Sequence, residues 1–164
     1  MRARVHGSML AFLALGCTLT AGCDDERDPS VAIVEVTPGT LAPEDDSKDD
    51  LLIRVEYHDP DGDLGGGVAE IHDCRAEGLI TAYDIPPIAS DEAVDEGVPI
   101  TGMLDLHVND IGSVPISDEL PELCADLDVD PLESGHTVFC VTLTDAAGHV
   151  GRGACTDPIP VGTP

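Results

Sequence analysis

Short runs in which apolar and polar residues alternate, separated by turn-forming residues, restrict the fold of this chain most. In Leu51–His58, the apolar residues Ile53, Val55 and Tyr57 alternate with polar ones, which is the pattern of a strand with one buried and one solvated face. Similar runs recur along the chain, and Gly, Pro and Asp clusters separate them. The pattern predicts an all-β fold of antiparallel strands, at Val31–Thr37, Leu51–His58, Val68–Cys74, Leu79–Ile85, Ile100–Val108, Thr137–Thr144 and His149–Cys155.

One segment departs from the strand pattern. Leu120, Leu123 and Leu127 recur at helical spacing, which is typical of a helix with one apolar face. Ser117 precedes them and is a suitable N-cap residue. We therefore expect one short helix over residues 118–127, closing the long connection between the fifth and sixth strands.

The beginning of the chain has the features of an export signal. Arg2 and Arg4 precede the apolar stretch Met9–Leu19, and small residues then lead to Cys23. This arrangement resembles the bacterial lipoprotein signal, in which residues 1–22 are removed and Cys23 becomes the lipid-carrying first residue. The apolar stretch is too short for a membrane-spanning helix.

Two other interpretations of this segment stay open. Cys17 could be the modified residue, although the apolar stretch before it would then be very short. The signal could also be cleaved without lipidation, because Thr20 stands where lipoprotein signals usually have Leu. With Cys23 as the acceptor, the resemblance implies a bacterial cell-envelope protein held to a membrane by lipid. An acidic tether over residues 23–30 would then carry a single domain over residues 31–164.

Acidic residues dominate the composition, with 33 Asp and Glu against 7 Lys and Arg and a formal net charge of −26. Such a surface repels nucleic acid and attracts cations or basic proteins. We therefore expect no nucleic-acid partner, and we expect a protein partner to be basic. The simpler interpretation is that the charge keeps an exported protein soluble. Aromatic residues make up only 2% of the chain, which disfavours a carbohydrate-binding module because such modules stack sugars on rings.

Two segments resemble bacterial immunoglobulin-like domains. Val141–Val150 is similar to their closing hairpin, and Val55–Asp63 is similar to their second strand and the turn after it. The resemblance implies an antiparallel two-sheet immunoglobulin-like sandwich on a cell surface, without implying an activity. The chain has no tryptophan, so it departs from antibody-type domains and the likeness is architectural.

The cysteines outside the signal segment are Cys74, Cys124, Cys140 and Cys155. An even number in an exported chain predicts two disulfides, for which three pairings exist. No pair has the C-x-x-C spacing of a zinc or redox site. If Phe139 and Val150 face inward, strand alternation turns Cys140 and Cys155 outward, where they can bridge neighbouring strands. Cys74 then pairs with Cys124, although a β-bulge would reverse this parity.

A group of aspartates follows the second predicted strand. Asp59, Asp61 and Asp63 lie at alternate positions, and Glu70 is the twelfth residue counted from Asp59. This spacing resembles a calcium-binding EF-hand loop. Leu64 occupies the sixth position, where that loop requires glycine, and strands rather than helices flank the segment. An EF-hand is therefore not expected.

A calcium site of the cadherin kind is the remaining metal hypothesis. The immunoglobulin-like resemblance implies that the final hairpin turn, with Asp145, lies at the same end of the domain as the aspartate turn. From the sequence alone we favour an Asp-Pro-Asp-Gly turn selected for its backbone geometry. The alternative is calcium bound by Asp59, Asp61, Asp63 and Asp145.

The sequence contains neither a His-Glu-x-x-His helix nor a Gly-x-Ser-x-Gly elbow, so we expect no enzyme and no cofactor other than calcium. We expect a lipid-anchored surface interaction or structural module. The alternatives are a calcium-stabilised adhesive domain and a small hydrolase with a noncanonical site. A tether at the first strand would hold the aspartate turn towards the membrane. The loops 38–50 and 109–135, at the opposite end, are then the expected partner-binding face.

Overall fold

The computed structural model describes residues 27–41, 49–88, 97–112, 119–133 and 135–161. Cys23 and the proposed cap Ser117 lie outside these ranges. Within them, no helix has the length and apolar character needed to cross a membrane. The strands are antiparallel and form two main sheets, which confirms the predicted all-β class with one short helix.

The strands are β1 (Ser30–Thr37), β2 (Asp49–Asp59), β3 (Val68–Asp73), β4 (Ile80–Asp84), β5 (Ile100–Ile111), β6 (His136–Thr137), β7 (Phe139–Thr144), β8 (Ala154–Cys155) and β9 (Ile159–Pro160). One sheet has the order β1-β2-β5, the other has the order β4-β3-β7-β8, and β6 pairs with β9. The single helix, α1, spans Glu122–Asp126.

The core lies between the two main sheets and follows the alternation of the sequence. From Leu51 to the end of β2, every second residue is buried, while the residues between them are partly or fully exposed. The central strand β7 contributes inward-facing apolar side chains from the opposite sheet. The fully buried apolar side chains that these two strands contribute to the core are Leu51, Ile53, Val55, Phe139, Val141 and Leu143.

The last predicted strand is wrong in part. Only Ala154–Cys155 forms a strand there, and Val150 makes one isolated bridge to Thr144. Val150 is 60% exposed rather than inward-facing. The physical reason is a close approach of two backbones, because a Cβ on Gly151 would overlap the carbonyl oxygen of Pro29. The β7–β8 ladder is therefore interrupted between Val150 and Ala154. The inward or outward direction of Cys155 cannot be derived from that of Val150 by strand alternation.

The helix is shorter than predicted. It begins after Pro121, whose ring prevents a regular helix from extending through it, and no side chain caps its first turn. The residues around α1 pack over the outer face of β7, where Cys140 is completely buried. The face that parity identified as outward is thus covered by a second apolar cluster, which includes Leu120, Leu123, Leu127, Val129 and Leu132.

The two ends of the sandwich differ in what they contain. Ser30 pairs with His58, and Pro29 is buried against Gly151. The start of β1 therefore lies beside Asp59 and the β7–β8 turn, as the immunoglobulin-like resemblance implied, and we call this the carboxylate end. At the other end of the sandwich, β7 begins beside α1 and the cysteines. We call this the disulfide end.

Candidate functional site

Strand alternation places one buried carboxylate in each sheet, at the end of a strand and on the side that faces the core. In β2, Tyr57 faces the core, so the next inward position belongs to Asp59, which is 0% exposed. In the opposite sheet, Leu143 faces the core and Asp145 follows at the next inward position, with 3% exposure. Two negative side chains, one from each sheet, thus point into the same end of the sandwich.

The turn after β2 brings two further aspartates to this point. Gly62, between Asp61 and Asp63, has a φ of 81°, a conformation that L side chains rarely adopt. A Cβ on Gly62 would also overlap the carbonyl oxygen of Val98. The residue that excluded an EF-hand, Leu64, buries its side chain in the core and donates its N–H to Asp59 Oδ2 at 2.7 Å.

Backbone contacts hold this turn against the β7–β8 turn. The N–H of Ala146 donates to the carbonyl oxygen of Asp63 at 3.1 Å. A Cβ on Gly67 would overlap the carbonyl oxygen of Thr144, so only glycine permits this approach. Asp145 Oδ1 accepts the N–H of His149 at 2.8 Å, and Asp145 Oδ2 lies 2.7 Å from His149 Nδ1. The imidazole therefore holds the orientation of the Asp145 carboxylate.

The result is a cluster of four carboxylates, Asp59, Asp61, Asp63 and Asp145, which we call the carboxylate cluster. Each contributes one oxygen, and these oxygens lie within 4.8 Å of one another. One oxygen of each of the first three residues, Oδ1, is buried without a hydrogen-bond partner. No lysine or arginine of the described ranges forms an ion pair with any of the four.

Burial and mutual repulsion change the acidity of the cluster. Desolvation, followed by the charges of Asp145 and Asp61, raises the pKa of Asp63 to about 6. Desolvation also raises the pKa of Asp59, against the opposing effect of the hydrogen bond from Leu64. The fold therefore gathers four acidic side chains at this point, and no lysine or arginine of the described residues pairs with them.

Glu70, the twelfth residue of the EF-hand-like spacing, does not lie with the aspartates of that spacing. Its carboxylate is 43% exposed on β3 and lies 3.7 Å from His72 Nε2, so it is not a member of the carboxylate cluster. Conversely, sequence reasoning did not identify His149 as part of the site. The available signal was its position four residues after Asp145, across a short glycine-containing turn.

The predicted cysteine pairs are at bonding distance. Cys74 and Cys124 have an S–S distance of 2.09 Å, and Cys140 and Cys155 have one of 2.03 Å. Cys140 and Cys155 are also register partners in the β7–β8 ladder. Cys74 Sγ lies 3.5 Å from Cys140 Sγ, so the two disulfides touch inside the second apolar cluster.

A groove of about 530 Å³ lies at the disulfide end, and we call it the acid-rimmed groove. Partly buried Leu127, Val129 and Leu132 alternate along it with exposed acidic residues. Among the described residues that line it, none is a lysine or an arginine. His136 also lines the groove, and its Nδ1 is buried without a hydrogen-bond partner. The exposed acidic residues are Asp128, Asp130 and Glu133.

Comparisons with protein-family models, with curated proteins and with solved structures each found no match to this chain. Its function is therefore inferred from the chemistry of the residues themselves.

Proposed function

We propose that this chain is a lipid-anchored, non-enzymatic interaction module of a bacterial cell envelope, and that it binds a basic segment of a partner protein in the acid-rimmed groove. The observation that carries the proposal is the alternation of apolar floor and acidic rim along residues 127–133. This segment belongs to the connection 109–135, where the sequence predicted the partner-binding face.

The dimensions and chemistry of the groove suit an extended peptide. Its volume of about 530 Å³ falls within the range of sites that bury most of a small ligand. The floor can bury one or two apolar side chains, while the acidic rim attracts Lys or Arg beside them. Because the rim charges are exposed, they contribute more to association rate and partner selection than to affinity.

The position of the groove supports a partner that approaches from outside the membrane. The described chain enters the sandwich at the carboxylate end, where Pro29 packs against Gly151. A tether attached to lipid at Cys23 would hold that end towards the bilayer, since the seven residues from Cys23 to Pro29 reach at most roughly 25 Å when fully extended. The disulfide end and its groove would then face away from the bilayer.

The hydrolase alternative lacks a comparable supporting observation. It requires a histidine and carboxylates that converge in a cleft, and His149 does lie beside Asp145 and Asp61. However, the cavities beside Arg75, in the acid-rimmed groove and along β1 are lined by other residues.

Peptide binding to the full chain, purified in mild detergent, tests the groove. The probe is a fluorescent peptide of alternating lysine and leucine, and its anisotropy reports binding. We expect the triple variant Asp128→Asn, Asp130→Asn, Glu133→Gln to weaken binding about tenfold, or about 1.4 kcal/mol. The matched control is Glu56→Gln, Glu77→Gln, Asp84→Asn, which removes the same charge from exposed positions elsewhere. Equal weakening by both triples would show non-specific attraction and refute the groove.

Cell fractionation tests the anchor separately. We expect Cys23→Ser to leave the membrane fraction after a high-salt wash, because removing the acyl chains removes the hydrophobic attachment. Cys17→Ser is the matched control and should stay with the membrane. Retention of the Cys23→Ser variant would contradict lipid anchoring at this residue, whatever the outcome of the peptide experiment.

A further inference from the structure

Asp59 distinguishes the carboxylate cluster from an ordinary acidic turn. Its side chain is 0% exposed, and its Oδ2 has one donor, the N–H of Leu64. Its Oδ1 is buried and has no hydrogen-bond partner, and one of its two carboxylate oxygens belongs to the carboxylate cluster. A buried carboxylate is costly unless a charge or several donors compensate it. A turn selected for backbone geometry alone gives no reason to bury this group.

We propose that Asp59, Asp61, Asp63 and Asp145 bind one calcium ion. Calcium takes oxygen ligands at about 2.3–2.6 Å, so ligands on opposite sides of the ion are about 4.6–5.2 Å apart. The cluster oxygens lie within 4.8 Å of one another, and they can therefore surround a single ion. The unpartnered Oδ1 atoms of the three aspartates on the β2 side are the natural ligands.

The donor atoms of the four aspartates favour a hard, oxygen-binding cation such as calcium over zinc. All four proposed ligands are carboxylates, whereas zinc sites in proteins use mainly Cys and His. The nearby His149 Nδ1 is engaged with Asp145 Oδ2, so the imidazole acts as a positioning group rather than as a ligand. Magnesium is the closer competitor, but it keeps its water shell more firmly and fits less well into a site built from several buried carboxylates.

An ion at this point would join the two main sheets. Asp59 ends β2 in one sheet, and Asp145 follows β7 in the other. The aspartate turn already contacts the β7–β8 turn through Ala146 and Asp63, and a cation would replace the repulsion between the four carboxylates by attraction. This site is independent of the acid-rimmed groove, so failure of either proposal leaves the other intact.

Thermal unfolding of the full chain in mild detergent, after removal of metals with EDTA, tests the proposal. Calcium at a hundredfold excess over its dissociation constant should raise Tm by roughly 5–15 °C. Sodium chloride at matched ionic strength is the first control, because screening alone stabilises so acidic a chain. Magnesium chloride is the second and should give a smaller shift. An equal rise of Tm in sodium, magnesium and calcium would refute a calcium site.

The variant Asp63→Asn separates binding from folding. It removes one ligand charge and one source of repulsion, so it should raise the Tm of the calcium-free protein while abolishing the calcium-dependent rise. A residue with only a structural role would not produce both effects. Glu56→Gln, which also removes one charge but lies on the exposed face of β2, should leave the calcium-dependent rise unchanged. A full calcium-dependent rise in Asp63→Asn would overturn the assignment.

Terbium luminescence provides a readout that does not depend on stability. Terbium is a luminescent trivalent ion that occupies oxygen-lined calcium sites, and a nearby tyrosine sensitises its emission. Tyr57 lies two residues before Asp59 on the same buried face of β2. We expect emission that calcium displaces, that falls strongly in Tyr57→Phe and that is lost in Asp63→Asn. Emission that persists in Asp63→Asn, or that calcium fails to displace, would contradict the site.

Discussion

Each end of the sandwich buries an aspartate, Asp73 or Asp59, but only Asp73 forms an ion pair with an arginine in the described part of the chain. At the disulfide end, Asp73 Oδ1 accepts hydrogen bonds from Arg75 and from Thr137, and Asp73 Oδ2 pairs with the same guanidinium. At the carboxylate end, Asp59 has one N–H donor and three carboxylate neighbours. The same fold thus pairs one buried aspartate with a guanidinium and gives the other no lysine or arginine partner among the described residues.

The difference extends to how each end holds the sheets and loops together. Two touching disulfides close one end, and these covalent bonds persist at any calcium concentration. The other end relies on turns that contact each other through backbone atoms while their side chains repel. Covalent bonds therefore hold one end together, and we infer that the stability of the other end depends on the ions around it.

Removal of the internal cation should have the largest effect. Arg75→Met leaves Asp73 buried without its partner, and we expect a loss of about 3–5 kcal/mol in the free energy of unfolding. Arg54→Met is the matched control, because its partners Glu35 and Asp105 are exposed and solvent replaces the lost pairs. Chemical denaturation measures both. If Arg75→Met cost no more than Arg54→Met, the proposed contrast between the two buried aspartates would be wrong.

Removal of the disulfides should have effects of similar or smaller size. Chain entropy predicts a loss of about 4 kcal/mol for Cys74→Ala with Cys124→Ala, whose sequence separation is 50 residues. The loss should be about 3 kcal/mol for Cys140→Ala with Cys155→Ala, which are 15 residues apart. Denaturation of the two double variants under oxidising conditions gives both values. The reverse order would show that packing around the sulfurs, rather than loop closure, dominates their contribution.

Much of this architecture can be predicted from the sequence, because apolar and polar residues alternate several times along each long strand. The alternation of Leu51–His58 identified β2 and, continued by one residue, would have identified Asp59 as inward-facing. Two-residue strands such as β6 and β9 contain no period to detect. The interruption at Gly151 depends on contact with Pro29, which is far away in the sequence, so local reasoning extended the last strand too far.

The candidate sites show the same limit. The spacing of Asp59, Asp61 and Asp63 was visible, but the burial that makes it unusual depends on contacts between sheets. Asp145 entered only through the resemblance to immunoglobulin-like domains. The groove could not be foreseen, since it forms where the segment after α1 meets β8 and the residues beyond it. Sequence patterns identified the participating segments, and tertiary contacts determined which of their atoms lack partners.

Acid should stabilise the carboxylate end when calcium is absent. Asp63 has a pKa of about 6 in the folded state, above its ordinary value, so the folded protein binds more protons than the unfolded chain between about pH 4 and 6. The contribution of this group to stability is therefore present below about pH 4 and is lost as the pH rises through 6. Asp105, whose pKa is lowered by Arg54, contributes in the opposite direction at lower pH.

Denaturation of EDTA-treated protein at pH 4.5 and pH 7 measures this effect. The wild type should lose more stability on going to pH 7 than Asp63→Asn, which cannot titrate at that position. Glu56→Gln should behave as the wild type does. The same pH dependence in all three proteins would contradict the raised pKa of Asp63 as its source.

The smallest expected effect is the coupling between the two ends. The six residues of β7 separate them by about 17–20 Å, and sites more than about 10 Å apart with no shared partners usually have additive effects within 0.3–0.5 kcal/mol. The loss caused by Cys74→Ala with Cys124→Ala should therefore be the same in calcium and in EDTA. A double-mutant cycle with Asp63→Asn, read by chemical denaturation, measures the difference. A coupling above about 1 kcal/mol would mean that β7 transmits strain between the ends, and that calcium then acts on the disulfide end and its groove as well.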